Sequence, residues 1–69
     1  MTLQPHQQRV VTERDELKSK TKALTTFIDL NATFSTLPKR EQELLQQQEV
    51  IMRNYITVLD QRIALFTGV

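Results

Sequence analysis

Residues 38–66 read PKREQELLQQQEVIMRNYITVLDQRIALF, and this stretch decides the fold. It contains two apolar series, each with a spacing of seven residues: Leu44, Ile51, Val58 and Leu65, and Leu45, Met52, Leu59 and Phe66. At about 100° per residue, both series lie side by side on one face of a helix. Ile56 and Ile63 widen this face to about half of the circumference, which is more than one packing partner covers. The sequence therefore predicts a long amphipathic helix with more than one packing partner.

Three polar residues interrupt this apolar face. Gln48, Tyr55 and Arg62 are also seven residues apart, and the register places them in the middle of the face rather than on its polar back. A buried polar group without a partner costs about 1–3 kcal/mol, so each needs a hydrogen-bond partner or a ligand. For Tyr55 the alternative is a core tyrosine whose hydroxyl bonds a neighbour. For Arg62 the partner would be a carboxylate such as Glu49 or Glu13 of another subunit, or a phosphate.

A second, narrower amphipathic pattern precedes this helix. It predicts a first helix over residues 5–31, with Pro5 in its first turn, Asn31 as a left-handed C-cap and an apolar stripe formed by Val10, Leu17, Leu24 and Ile28. Residues 32–37 are then a connection, in which Phe34 and Leu37 close the end of the helix pair. The second helix covers residues 38–66, with Pro38 as its first helical residue. The predicted fold is all-α: a single domain that forms an antiparallel two-helix hairpin with a short connecting turn.

Charged residues line both borders of the apolar stripe on the first helix. One border carries Arg9, Glu13, Glu16 and Lys20, and the other carries Lys18 and Lys22. Such a pattern is typical of a solvated helix flank, and ligand binding is the alternative.

The size of the chain indicates self-association. A core of 69 residues supplies only about 3–5 kcal/mol, so a further source of stability is expected. The chain has no cysteine and one histidine, so neither a disulfide framework nor a zinc site is expected. Oligomerisation is the remaining source. The sequence also lacks an apolar run of about 20 residues, and we expect no contact with a membrane.

The composition argues against several classes of function. A net charge of +1 with interleaved signs disfavours binding to a nucleic-acid polymer. There is no glycine-rich phosphate loop and no nucleophile elbow, so we expect neither an enzyme nor a cofactor. His6 could act as a base or a metal ligand, but it has no paired carboxylate or second histidine nearby and is interpreted as a surface or interface residue.

Several runs together carry a resemblance to a known family. They are PHQQRVVTERDEL (residues 5–17), LTTFI (24–28), Phe34 with Leu37, and ELLQQQEVIMRNYITVLDQRIALF (43–66). The chain resembles the small phage anti-CBASS sponges, which share their helical hairpin with the first type of phage Thoeris anti-defence sponge. This resemblance implies a homo-oligomer, a hexamer, that binds cyclic di- and trinucleotide second messengers without cleaving them. It also implies that the protein acts in the cytoplasm of an infected bacterial host.

The resemblance also suggests ligand-binding residues. The aromatic platform of the family falls at His6, its helix-one lysine near Lys20 or Lys22, and its arginine at Arg62. His6 is a departure, because a tyrosine there would stack a purine more strongly. Together with the flank and stripe residues, the candidate ligand-binding residues are His6, Arg9, Lys20, Lys22, Tyr55 and Arg62.

Symmetry explains how a site with few residues per chain can bind such ligands, because each copy supplies the same residues. A two-fold interface can offer each half of a cyclic dinucleotide the same groups, and a three-fold axis lined by Arg62 can hold a cyclic trinucleotide. The alternative is a two-helix oligomerisation or adaptor module that binds a protein partner with its wide apolar face.

Overall fold

The computed structural model describes residues 2–66 and contains three helices in this range. They are α1 (Pro5–Leu30), α2 (Ala32–Thr36) and α3 (Lys39–Phe66), and no strand occurs in the described range. α1 packs along α3, and the molecule measures 49 × 16 × 15 Å. The predicted all-α class is confirmed. No helix within residues 2–66 is long and apolar enough to cross a membrane.

The start of α1 agrees with the prediction. Pro5 occupies the first turn, where its missing N–H leaves no helical hydrogen bond unmade. The backbone N–H of Gln4 donates to Oε1 of Gln7 at 2.9 Å, so the Gln7 side chain bonds back to the residue before the helix. This contact is one half of a capping box, and it fixes where the helix begins.

The predicted role of Asn31 is wrong. Its backbone is extended, with φ −98° and ψ 121°, and it is therefore not a left-handed cap. Its side-chain oxygen instead accepts a hydrogen bond from the N–H of Thr33 at 2.8 Å, which makes Asn31 the N-cap of α2. Asparagine favours this position because its side chain satisfies an N–H that the following turn leaves free. As a result α1 ends at Leu30, one residue before the predicted end.

The connection contains one helical turn and an aromatic contact. α2 lies within the predicted connection, and the Phe34 ring packs edge-on against Phe27 with 6.1 Å between the ring centroids. Pro38 lies immediately before α3 instead of within it, and its carbonyl accepts the N–H of Gln42 at 3.1 Å. Phe34 therefore covers the end of α1, as predicted for the connection.

The core lies between α1 and α3 and is thin. Val10, Thr21 and Leu59 are buried, and Leu59 is 0% exposed. The series of α3 that contains Leu59 faces α1, with Leu45, Met52 and Phe66 half-buried. The other apolar series of α3 stays exposed, as described below. α1 therefore covers only one half of the wide apolar face of α3.

Polar contacts fix the pairing of the two long helices. Nη1 of Arg14 donates to Oδ1 of Asp60 at 2.6 Å, and the Thr25 hydroxyl donates to Oε2 of Glu49 at 2.5 Å. From the first of these contacts to the second, the residue number rises along α1 and falls along α3. This pairing decides which side chains of the two helices share a flank.

Candidate functional site

The α1–α3 pair has two flanks of different chemistry. The Tyr55 flank carries Glu13 of α1 and Tyr55 of α3, which are hydrogen-bonded to each other. The Arg53 flank carries Thr25 of α1 and Arg53 of α3, which are also bonded, at 3.1 Å. Residues three, four or seven positions from these pairs lie on the same flank of their helix.

The Tyr55 flank exposes an apolar stripe along α3. This stripe consists of the series Leu44, Ile51, Val58 and Leu65, whose exposed fractions are 41%, 60%, 51% and 74%. Tyr55 lies among them and is 44% exposed. A contiguous apolar stripe on a small protein is typical of an interaction surface.

Gln48, Tyr55 and Arg62 lie in this exposed stripe and are not buried against α1. The sequence predicted Gln48 to turn inward, and this is wrong: Gln48 is exposed, and its Nε2 donates weakly to the Met52 sulfur at 3.8 Å. The reason is that α1 covers the neighbouring series of α3. The three polar residues therefore interrupt a surface that is free in the single chain.

Tyr55 has its hydrogen-bond partner within the chain. Its hydroxyl donates to Oε2 of Glu13, which agrees with the interpretation that a neighbour satisfies it, although the ring is half-exposed and not in the core. This bond raises the pKa of Tyr55, because the carboxylate disfavours a phenolate, and desolvation acts in the same direction. The positive charge of Arg62 acts in the opposite direction, because it lowers the pKa of Tyr55.

Arg62 is exposed, and its side chain forms no hydrogen bond or ion pair with residues 2–66. The sequence offered Glu13 and Glu49 of another subunit as partners. In this chain Glu13 accepts from Tyr55, and Glu49 accepts from Thr25 and Arg53. Arg62 is thus a guanidinium in an apolar stripe whose five donors are available to an anion.

Three further candidates lie on the same flank but are spread along it. His6, Arg9 and Lys20 share a border of α1 with Glu13, and all three are exposed. His6 and Lys20 are 14 residues apart, which is about 21 Å along a helix. One chain therefore does not bring these two residues to one small ligand.

Lys22 lies on the opposite flank, where it lines a cleft. The cleft has a volume of about 440 Å³, and its lining residues are Lys18, Thr21, Lys22, Thr25, Thr26, Arg53 and Ile56. The structure thus separates Lys20 from Lys22, between which the sequence could not choose. Arg53 was missed, because its place beside the lysines depends on how α3 pairs with α1.

Glu49 holds Arg53 at the edge of this cleft. Oε2 of Glu49 accepts from the Thr25 hydroxyl at 2.5 Å and from Nη2 of Arg53 at 3.3 Å. The Thr25 bond, followed by Arg53, lowers the pKa of Glu49 against an opposing desolvation effect. The carboxylate thus stays ionised and orients the guanidinium.

Comparison with known proteins gives a family and a relative. The family model Sequestin matches residues 4–65. A relative named "Uncharacterized 7.5 kDa protein in denB-rIIB intergenic region", from Enterobacteria phage T4, is 43% identical over 61 residues. This match spans 88% of the present chain and 94% of the phage protein. No solved structure matches the chain.

Proposed function

Because the chain belongs to the Sequestin family, whose model spans residues 4–65, we propose that it sequesters cyclic di- and trinucleotide second messengers of bacterial anti-phage signalling. The family name denotes sequestration, and the phage T4 relative supports a role in infection. The observation that carries the proposal is Arg62, an exposed cation without a partner among residues 2–66, set in an apolar stripe. The site of action is the cytoplasm of the infected bacterial host.

The unit of this function is an antiparallel hairpin that assembles with further copies. The exposed stripe from Leu44 to Leu65 is the surface that a second copy covers. A two-fold interface and a three-fold ring together generate six subunits, so the assembly is a hexamer. Burial of the stripe supplies stability that the thin core of one chain lacks.

In this assembly Arg62 binds phosphate. Copies of Arg62 around a three-fold axis face the three phosphodiesters of a cyclic trinucleotide, and the planar guanidinium bonds phosphate oxygens in pairs. Without the anion these like charges repel one another, and no described carboxylate of the same chain neutralises them. Ligand binding therefore relieves a repulsion that assembly creates.

The cyclic dinucleotide contacts side chains of two copies of the chain. His6 and Lys20 lie about 21 Å apart on one helix, so a small ligand that contacts both residues needs His6 of one chain and the lysine of another. His6 supplies a ring for base stacking, and the lysine supplies a charge for phosphate. Arg9 and Tyr55 lie on the same flank and complete the candidate surface. Lys22 remains the alternative lysine.

In this proposal the protein binds the messenger without catalysing its cleavage, and it uses no cofactor. It lowers the free concentration of the messenger by mass action and releases it unchanged. To test this, the protein is loaded with a cyclic trinucleotide, heated and chromatographed. Return of the intact cyclic compound is expected, and a linear product would overturn the proposal.

An adaptor module that binds a protein helix is the second candidate, since the same exposed stripe would suit such a partner. The two functions differ in their response to ligand. A sponge melts at a higher temperature in micromolar cyclic nucleotide, because ligand that binds only the folded state stabilises it. An adaptor shows no such shift.

A further inference from the structure

Three cations converge on the cleft of the Arg53 flank. Lys18 and Lys22 lie on α1 one turn apart, and Arg53 reaches the cleft from α3. No acidic residue is among those that line it. We propose that this cleft is a binding site for a phosphate group of a small organic phosphate, and that it is complete within one chain.

The charge arrangement favours an anion. Two lysines at positions i and i+4 repel each other, and they destabilise a helix by a few tenths of a kcal/mol when nothing lies between them. Two carboxylates of α3 on this flank already have partners: Glu49 bonds Thr25 and Arg53, which line the cleft, and Asp60 bonds Arg14 at 2.6 Å, outside the cleft lining. A phosphate between the lysines and the arginine removes this repulsion.

The cleft is also preorganised. Nη2 of Arg53 is held by the Thr25 hydroxyl at 3.1 Å and by Glu49 at 3.3 Å, which leaves its other guanidinium donors for a ligand. The exposed hydroxyl of Thr26 adds a neutral donor, and the half-buried Ile56 gives an apolar surface beside the charges. This combination suits a phosphate attached to an organic group better than a free halide.

This site goes beyond the proposed sequestration sites. With Lys20 as their lysine, those sites lie on the Tyr55 flank and need residues of more than one copy, whereas the cleft uses Lys18, Lys22 and Arg53 of a single chain. Both the cyclic messenger and an unrelated organic phosphate carry the phosphate group that the cleft would bind. The test therefore begins with pyrophosphate alone and then adds the cyclic dinucleotide as a competitor.

The experiment is a titration of the full chain with sodium pyrophosphate at constant ionic strength, followed by amide chemical shifts. We expect saturable shifts around Lys18, Lys22 and Arg53. Lys18→Gln should weaken the affinity by about tenfold or more, as expected for loss of one charged contact. The matched control is Lys39→Gln, which removes the same charge at the exposed start of α3 and should change the affinity less than about twofold.

Three results would overturn the site. They are the absence of saturation, shifts confined to the Tyr55 flank, and equal weakening by Lys18→Gln and Lys39→Gln. Arg53→Gln, checked for its helix content, is the second variant and should also weaken binding. Competition by cyclic dinucleotide identifies the messenger as the source of the phosphate, and lack of competition identifies another organic phosphate. Failure to bind any cyclic nucleotide would refute the proposed function and leave the pyrophosphate result standing.

Discussion

Leu59→Ala tests whether the contact between α1 and α3 holds the fold. Leu59 is 0% exposed, so its truncation removes buried apolar atoms and leaves a cavity. Leucine-to-alanine changes at such sites cost about 2–5 kcal/mol. A core of this size supplies only about 3–5 kcal/mol. We therefore expect a single chain of the variant to be largely unfolded, and any remaining fold to depend on protein concentration.

The assay is urea unfolding followed by far-ultraviolet circular dichroism, at two protein concentrations. The matched control is Val50→Ala, which also truncates an apolar side chain of α3 but at a position that is 56% exposed and away from α1 and from the Tyr55 stripe. This control should change the free energy of unfolding by no more than about 0.5 kcal/mol. Equal shifts of the urea midpoint in the two variants would refute the packing of α1 on α3.

Three further predictions concern the two flanks. Val58→Asp places a charge in the exposed stripe, so light scattering should show a smaller assembly than wild type; unchanged mass at equal concentration would rule out the stripe as the interface. Tyr55 is the single tyrosine, so its ultraviolet titration should show a midpoint above 10.0, and Glu13→Gln should lower that midpoint. The stabilisation from this bond is complete below pH 10.0 and is lost as the pH rises through the raised pKa; a midpoint that Glu13→Gln leaves unchanged would contradict the contact. The pKa of Glu49 is lowered from 4.5, so the stability that it contributes is present above this pH and is lost as the pH falls through the lower value. The difference in melting temperature between wild type and Glu49→Gln should therefore shrink in acid, and a constant difference would contradict the network with Thr25 and Arg53.

The sequence predicted the helices well, because their signals are local. The seven-residue series of α3 and Pro5 at the start of α1 act through neighbours in the chain, and both predictions are confirmed. The prediction of a left-handed cap at Asn31 was wrong for an equally local reason. The Asn31 side chain can cap the following turn as readily as its backbone can end the preceding helix.

The site was harder to predict, because it depends on the pairing of the helices. Val58 and Leu59 are adjacent and both apolar, yet Val58 is 51% exposed and Leu59 is 0% exposed. Each belongs to its own seven-residue series, and periodicity cannot choose which of the two series faces α1. Lys20 and Lys22 are about 200° apart on a helix, so the sequence placed them on opposite borders of the first helix, but it could not predict the contribution of Arg53.

The central claim is that the chain binds cyclic messengers through Arg62, and calorimetric titration of wild type and Arg62→Ala with a cyclic trinucleotide and a cyclic dinucleotide tests it most directly. Wild type should bind both ligands. Arg62→Ala should remain assembled, because the side chain has no partner within residues 2–66, and should lose the trinucleotide while it largely keeps the dinucleotide. Wild type that binds neither ligand would contradict the claim, as would a variant that loses both together or melts well below wild type without ligand.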